Sequence, residues 1–218
     1  MGRKRSFRLG VDIGGTFTDI SLLDQASGEL HIHKVASVPD APSRAVIDGI
    51  GQLLEAIGEA PDTISGFVHG TTIGLNAIIE RRGARVALLV SKGNRDVLEI
   101  ARLQKPNILD LHATLPERLV PRGRVHETEG RVNAKGQVIE PFDGQDFQRV
   151  IAALDGHGAE GIESLAICFL HSYANPSLEE EAESQVARLR PDLPCSRSSA
   201  LWPEIREYER AMIAVLNA

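Results

Sequence analysis

The chain has 218 residues, 42% of them hydrophobic, with 24 basic against 30 acidic side chains and a formal net charge of -6. That much apolar material builds a core and excludes an intrinsically disordered chain, and the acidic balance excludes nucleic acid as the main partner, because backbone-phosphate binding rests on clustered Lys and Arg. Two cysteines, Cys168 and Cys195, are too few for a disulfide scaffold and fit a reducing, cytoplasmic setting; no apolar run reaches the length of a membrane span, and the basic leader over 1–8 lacks the apolar stretch of a secretion signal.

The first element carries the chemistry. Leu9, Val11 and Ile13 alternate with Arg8, Gly10 and Asp12, the period-two pattern of a half-buried strand. Gly14-Gly15 interrupts the run, and residues 17–23 read as a second strand folded back on the first. A glycine pair can take positive φ and carries no Cβ, so the chain can turn tightly there and bring backbone amides close to a ligand. The hairpin tip so formed offers those amides, the hydroxyls of Thr16 and Thr18, and the carboxylates of Asp12 and Asp19. Amides and hydroxyls donate to phosphate oxygens, and a carboxylate holds a hydrated Mg²⁺. Gly-Gly alone would mean only a turn. The full string Asp-x-Gly-Gly-Thr-x-Thr-Asp after an apolar strand predicts a nucleotide-phosphate cradle. It is not a Walker A loop, having no Lys after the glycines, nor a dinucleotide fingerprint, because a strand and not a helix follows.

Residues 30–38 form the expected third strand. His31 and His33 share one of its faces and, without a third ligand evident nearby, read as a solvated surface. Pro42 opens an amphipathic helix that Gly58 ends. Residues 64–68 are a fourth strand leading into His69-Gly70-Thr71-Thr72 and a helix over 73–81. Thr71 or Thr72 is placed to cap that helix, whose N-terminus favours anions. With the cradle upstream in the same fold, this loop is read as a second part of the site, with His69 as acid, base or donor to substrate and Asn76 facing the same place. A strand over 85–90, buried on both faces, and a short helix over 96–103 follow. Residues 104–122, interrupted by Pro106, Pro116 and Pro121, read as connector or substrate-side lid, and 124–132 with 137–140 as a hairpin. Helices over 143–154, 177–189 and 204–216 accompany a central strand over 164–170 and a short extended piece over 195–199. Cys168 is expected as a buried small hydrophobe, His171 and Tyr173 as core-edge residues, and the acidic run over 179–183 as first-turn carboxylates favoured by the helix dipole. Three subregions result: a phosphate-binding core over about 8–103, an inserted region over 104–142, and the remaining helices and strand over 143–218.

Several of these segments together resemble the N-terminal region of the hydantoinase A / 5-oxoprolinase family. The likeness is carried in order by Asp12-Ile13-Gly14-Gly15-Thr16-Phe17-Thr18-Asp19, His69-Gly70-Thr71-Thr72, the stretch 76–85 beginning Asn76-Ala77-Ile78, Arg95-Asp96-Val97-Leu98-Glu99-Ile100, His171-Ser172-Tyr173-Ala174-Asn175-Pro176, and the stretch 203–210 beginning Pro203-Glu204-Ile205-Arg206. Gly74-Leu75 departs from the family's usual pair before Asn76. The resemblance implies an α/β chain, a ribonuclease-H-like domain of the actin-like ATPase superfamily shared with sugar and acetate kinases, with a mixed sheet flanked by helices. It implies ATP and Mg²⁺ as cofactors and hydrolysis of a cyclic amide, a hydantoin or 5-oxoproline, through phosphorylation of the carbonyl oxygen. Phosphorylation turns a poor electrophile into one with a leaving group, and the protein positions reactants and neutralises charge. Carried over residue by residue, Asp12 organises Mg²⁺ and the chemistry. Gly14, Gly15, Thr16 and Thr18 contact the β- and γ-phosphates, and Asp19 supports the hairpin or the metal. His69, Thr71, Thr72 and Asn76 face substrate or the transferred phosphoryl group. The family's A subunit is longer, so a second Gly-rich loop and the adenosine pocket are expected from a missing C-terminal domain, and a B-type hydantoinase subunit is the expected partner, with a homo-oligomer also compatible. The chain alone is expected to bind nucleotide weakly and to turn nothing over. The alternatives are the equivalent domain of an acetone-carboxylase-type enzyme or small-molecule kinase, or a non-catalytic truncated assembly module.

Overall fold

The computed structural model describes residues 5–38, 41–103, 112, 117–154 and 161–218. It divides into two compact units, Met1–Arg82 and Gly83–Ala218.

In the first unit, β1 (Phe7–Ile13), β2 (Phe17–Asp24) and β3 (Leu30–Ala36) form an antiparallel meander, and β4 (Ile64–Thr71) joins parallel to β1, giving the order β3-β2-β1-β4. The alternation read from sequence is the burial pattern observed: Phe7, Leu9, Val11 and Ile13 of β1 point inward with Ile20 and Leu22 of β2. They are covered by α1 (Pro42–Ile57) through Leu53 and Leu54. Gly58 ends α1 at φ 69°, donating its N–H to the Glu55 carbonyl, a conformation in which glycine carries no Cβ penalty. The helix lies close to the sheet because Gly49 has no side chain: a Cβ there would stand 2.4 Å from Ile20 Cδ1 and 3.1 Å from Val35 Cγ1. His31 and His33 are half-buried, not solvated: they lie on the face of β3 turned to α1, where His33 Nε2 meets Gln52 Oε1 at 2.9 Å. The strand expected to stop at Val68 runs on to Thr71, because β1 offers pairing partners for His69, Gly70 and Thr71 in Val11, Asp12 and Ile13. The helix α2 (Ile73–Glu80) follows.

The second unit is built on a fully parallel sheet of order β10-β9-β5-β6, comprising β10 (Cys195–Arg197), β9 (Ser164–Cys168), β5 (Val86–Ser91) and β6 (Val125–Thr128). Every residue of β5 and β9 is buried, as central strands with helices on both faces require. One face carries α4 (Gly144–Leu154) and α5 (Ser177–Leu189), which bring Phe147, Ile151, Ala182 and Val186 onto Leu89 and Ile167. The other carries α3 (Val97–Ile100) and α7 (Glu207–Asn217), which bring Leu98, Ala211 and Ala214 onto Leu88 and Ala166. Cys168 is buried among the latter, as expected.

Four expectations change here. The hairpin read over 124–140 is divided: β6 goes to the central sheet, and only β7 (Arg131–Val132) pairs with β8 (Val138–Glu140), the break falling at Gly130 with φ 113°. The helix read over 96–103 is the four-residue α3, ended by Ala101 at φ 48°. The last helix starts at Glu207, after the short α6 (Ser198–Leu201) and an Arg206 held at φ 105°. Glu179, read only as a first-turn carboxylate favoured by the helix dipole, is in the first turn of α5 but is completely buried. Its Oε1 accepts from Phe169 N (2.8 Å), Ser172 Oγ (2.7 Å) and Ser198 Oγ (2.7 Å), and its Oε2 from Ser199 N (2.8 Å). The countercharge is Arg210 of α7, also fully buried, which donates to both serine hydroxyls and to the Phe169 carbonyl. A buried charge needs such partners. Of the expected lid over 104–122, residues 104–111 and 113–116 lie outside the described residues. No described helix is long and apolar enough to cross a membrane.

Candidate functional site

The candidate site is the β1–β2 turn with the end of β4 beside it. Gly14 N–H donates to the Phe17 carbonyl at 3.0 Å and closes the turn. Ser37, just past β3, then engages the tip: its N–H donates to the Thr16 carbonyl (3.0 Å) and its hydroxyl to the Gly14 carbonyl (2.8 Å). With those carbonyls occupied, the N–H groups of Gly15 and Thr16 are left without a protein acceptor among the described residues. Consecutive free amides at a tight turn make an anion-binding concavity.

Neither Gly14 nor Gly15 takes a positive φ; of the two glycine properties read from the sequence, the turn uses the missing Cβ. What the pair provides is space. A Cβ on Gly14 would stand 2.9 Å from the Phe17 carbonyl oxygen, and one on Gly15 would stand 2.8 Å from Asn76 Nδ2. Asn76 therefore does reach the tip, as read from sequence. Its placement comes from Thr72, whose N–H donates to the Ile13 carbonyl at 3.1 Å and whose own carbonyl accepts from Asn76 N–H at 2.9 Å. Asn76 Nδ2 is 3.4 Å from Thr72 Oγ1, which in turn donates to the Ile13 carbonyl. Thr72 is thus a clamp between the end of β1 and α2. Thr71 supplies the hydroxyl that accepts from Ile73 N–H at 3.2 Å at the start of α2.

Asp12 lies opposite Asp19 across the antiparallel pair and opposite Gly70 across the parallel one, so the two carboxylates share the outer face of the sheet. Asp19 is bridged to Lys34 at 3.1 Å; Asp12 is exposed, and no cation pairs with it among the described residues. A Cβ at position 70 would come within 3.3 Å of Asp12 Oδ1, so the glycine keeps that carboxylate open. Among the described residues no cluster of three or more His, Cys, Asp or Glu is placed to cage a metal. Two adjacent carboxylates beside free amides nevertheless fit Mg²⁺, which is commonly held through one or two carboxylates, water and phosphate.

Two sequence-derived residues do not join this group. Thr18 is completely buried, its hydroxyl 3.0 Å from Ser37 Oγ; it braces the hairpin from inside and presents nothing at the tip. His69 pairs in register with Val11, so its side chain shares Val11's face, opposite to that of Asp12. Its ring is stacked on Phe67, centroids 6.1 Å apart and planes 10° from parallel. The residue missed from the sequence is Ser37. It lies outside the motif, and its only signal is a hydroxyl just beyond the third strand, where the meander returns to the tip.

Comparison with known proteins identifies the family. A family model described as the hydantoinase/oxoprolinase N-terminal region matches residues 8–189. The alpha subunit of caprolactamase from Pseudomonas jessenii is 35% identical over 221 residues, covering 99% of this chain and 31% of that one. The solved structure of ATP-dependent caprolactamase from the same organism superimposes with a TM-score of 0.82 at 34% identity over 97% of this chain and 31% of that one. Arabidopsis thaliana 5-oxoprolinase 1 is 33% identical over 97% of this chain and 18% of its own length. The nucleotide-free structure of acetone carboxylase matches with a TM-score of 0.85 at 24% identity, over 97% of this chain and 32% of that one, a likeness of fold. The chain thus spans about a third or less of the length of these proteins. The neighbours bear out the α/β, ribonuclease-H-like, actin-like ATPase class expected from the sequence. This chain belongs to the hydantoinase/oxoprolinase family and corresponds to its N-terminal region.

Proposed function

We propose that this chain is the phosphate-gripping N-terminal part of an ATP-dependent enzyme that opens a cyclic amide after phosphorylating its carbonyl oxygen. The observation that carries the reading is the hairpin tip, where Ser37 occupies the carbonyls of Gly14 and Thr16 and the amides of Gly15 and Thr16 are left for an anion. These amides, the exposed Thr16 hydroxyl and the Asn76 carboxamide donate to the β- and γ-phosphates. Asp12, with Asp19 beside it, holds Mg²⁺ through water. Bound there, the cation neutralises phosphate charge, which together with positioning makes up most of the catalysis of phosphoryl transfer. Thr72 keeps Asn76 in reach of the tip. We assign His69 no part in phosphate contact, because it faces the other side of the sheet.

The names of the relatives support the substrate class: 5-oxoprolinase and caprolactamase both denote action on a cyclic amide. The caprolactamase relative is an alpha subunit, which supports a further subunit as partner, and the length of the relatives supports a second nucleotide-contacting domain supplied outside these residues. On this reading the chain alone binds Mg-ATP weakly and hydrolyses none. Isothermal titration with a non-hydrolysable ATP analogue and Mg²⁺ tests it: weak saturable binding, abolished by Asp12→Ala, is expected. Nucleotide binding that ignores Asp12→Ala, or robust phosphate release by the chain alone, overturns it. Substrate-dependent ADP formation by the complete enzyme, with and without bicarbonate, separates amide opening from the carboxylation chemistry of the acetone carboxylase neighbour.

A further inference from the structure

The second unit contains a cleft of about 550 Å³ that the nucleotide reading does not use. It lies wholly within that unit, at the carboxyl end of β5, between the segment 93–102 and the start of α7. In the order β10-β9-β5-β6, β5 comes first in the chain, β6 is placed on one side of it and β9 on the other. The segment leaving β5 packs through Val97 and Leu98 on the α7 face, while α5, which follows β9, packs on the opposite face. The chain therefore diverges beyond the carboxyl ends of β5 and β9, and open parallel sheets bind ligands near such switch points; the cleft itself is bordered by the segment leaving β5 and by the start of α7. The volume is that of a small-molecule site.

We propose that this cleft binds a small organic carboxylate with a short apolar body. One wall is apolar, made by Val97, Ile100 and Ala101. Three acidic residues line the cleft, and each already has an arginine: Asp96 with Arg122 at 2.5 Å, Glu207 with Arg210 at 3.3 Å, and Glu209 with Arg102. Arg206 is the exception. It lines the cleft and pairs with no acidic group among the described residues. It is also the residue before the first turn of α7, and no side chain caps that turn. The exposed, unpaired Arg206 and the uncapped first turn of α7 thus both border the cleft, which Val97, Ile100 and Ala101 also line. Arg206 is held there at φ 105° and ψ 95°, a backbone conformation that L-residues rarely adopt and that is found where a site over-determines it. One guanidinium matches one carboxylate in bidentate geometry. Three nearby carboxylates disfavour a doubly charged phosphate in the same place. The inference does not depend on nucleotide binding by the first unit.

The test is a ¹H–¹⁵N NMR titration of the whole chain, without nucleotide, using 3-methylbutanoate, with 3-methylbutanamide as the neutral match at equal ionic strength. The carboxylate is expected to give saturable shifts at Asn94, Val97 and Glu207 to Glu209, with a Kd on the order of millimolar for so small a ligand, and the amide at least tenfold weaker. Arg206→Gly removes the charge while suiting the backbone, so the fold is kept and binding falls at least tenfold; Arg206→Gln serves as a second charge-removing variant at this exposed position. Absence of saturable shifts, equal binding of the amide, or unchanged affinity in both variants overturns the proposal, and none of these results bears on the hairpin.

Discussion

The buried pair Glu179–Arg210 allows a worked prediction for Arg210→Met. Methionine fills much of the space left by the arginine stem but removes the charge. Four donors to Glu179 remain, from Phe169 N, Ser172 Oγ, Ser198 Oγ and Ser199 N, so the carboxylate keeps its hydrogen bonds and loses its countercharge. The Phe169 carbonyl loses the donor at 2.8 Å. Removing one partner of a buried ion pair costs about 3–5 kcal/mol, which for a chain of this size lowers Tm by roughly 6–20 °C. The chain's single Trp, Trp202, lies between α6 and α7, so urea unfolding followed by its fluorescence reports on this unit. Glu179→Gln placed on top of Arg210→Met removes the stranded charge while keeping an acceptor for three of the donors. The double variant is therefore expected to be less destabilised than the sum of the two single changes. An unfolding free energy for Arg210→Met within about 1 kcal/mol of the native protein's, or strict additivity in the double variant, would refute the reasoning.

Further predictions concern the hairpin and the thiols. Gly15→Ala drives a Cβ against Asn76 Nδ2 and is expected to weaken Mg-nucleotide binding at least tenfold, or about 1.4 kcal/mol; adding Asn76→Ala restores fit at the tip but not the lost donor, so titration calorimetry should show only partial recovery. Thr18→Val breaks the bond to Ser37 and costs about 1 kcal/mol of stability, whereas Thr16→Val at the exposed tip leaves the melting temperature unchanged and weakens nucleotide; a melt and a titration of both variants check the contrast. Burial pushes the Cys168 and Cys195 thiols from an ordinary value of 9.0 up to about 12. A raised thiol pKa in the folded state means stability that is fully present below pH 9 and declines as pH rises toward 12. Urea midpoints between about pH 8 and pH 10.5 should therefore fall less steeply in Cys168→Ala, and neither native thiol should react with a thiol reagent at about pH 8 until the chain unfolds.

Much of the first unit was legible because its signals are local. Leu9, Val11 and Ile13 state a strand by alternation, Pro42 and Gly58 bracket α1, and Asp12, Gly14, Gly15 and Thr16 announce the tip within a few residues. What depends on partners distant in the chain was not. Whether 125–128 pairs with its neighbour or with β5 depends on which edge is open once the sheet assembles. The burial of Glu179 depends on an arginine on another helix, and the acidic run it belongs to looks the same either way. The inward turn of Thr18 and the orientation of His69 follow from register, and register is decided by strands that meet only in the folded sheet. The chain's own chemistry thus determined where the strands, turns and candidate donors lie. Tertiary structure decided which of them share a face, because side-chain direction in a sheet is shared across strands through pairing and cannot be read from one strand alone.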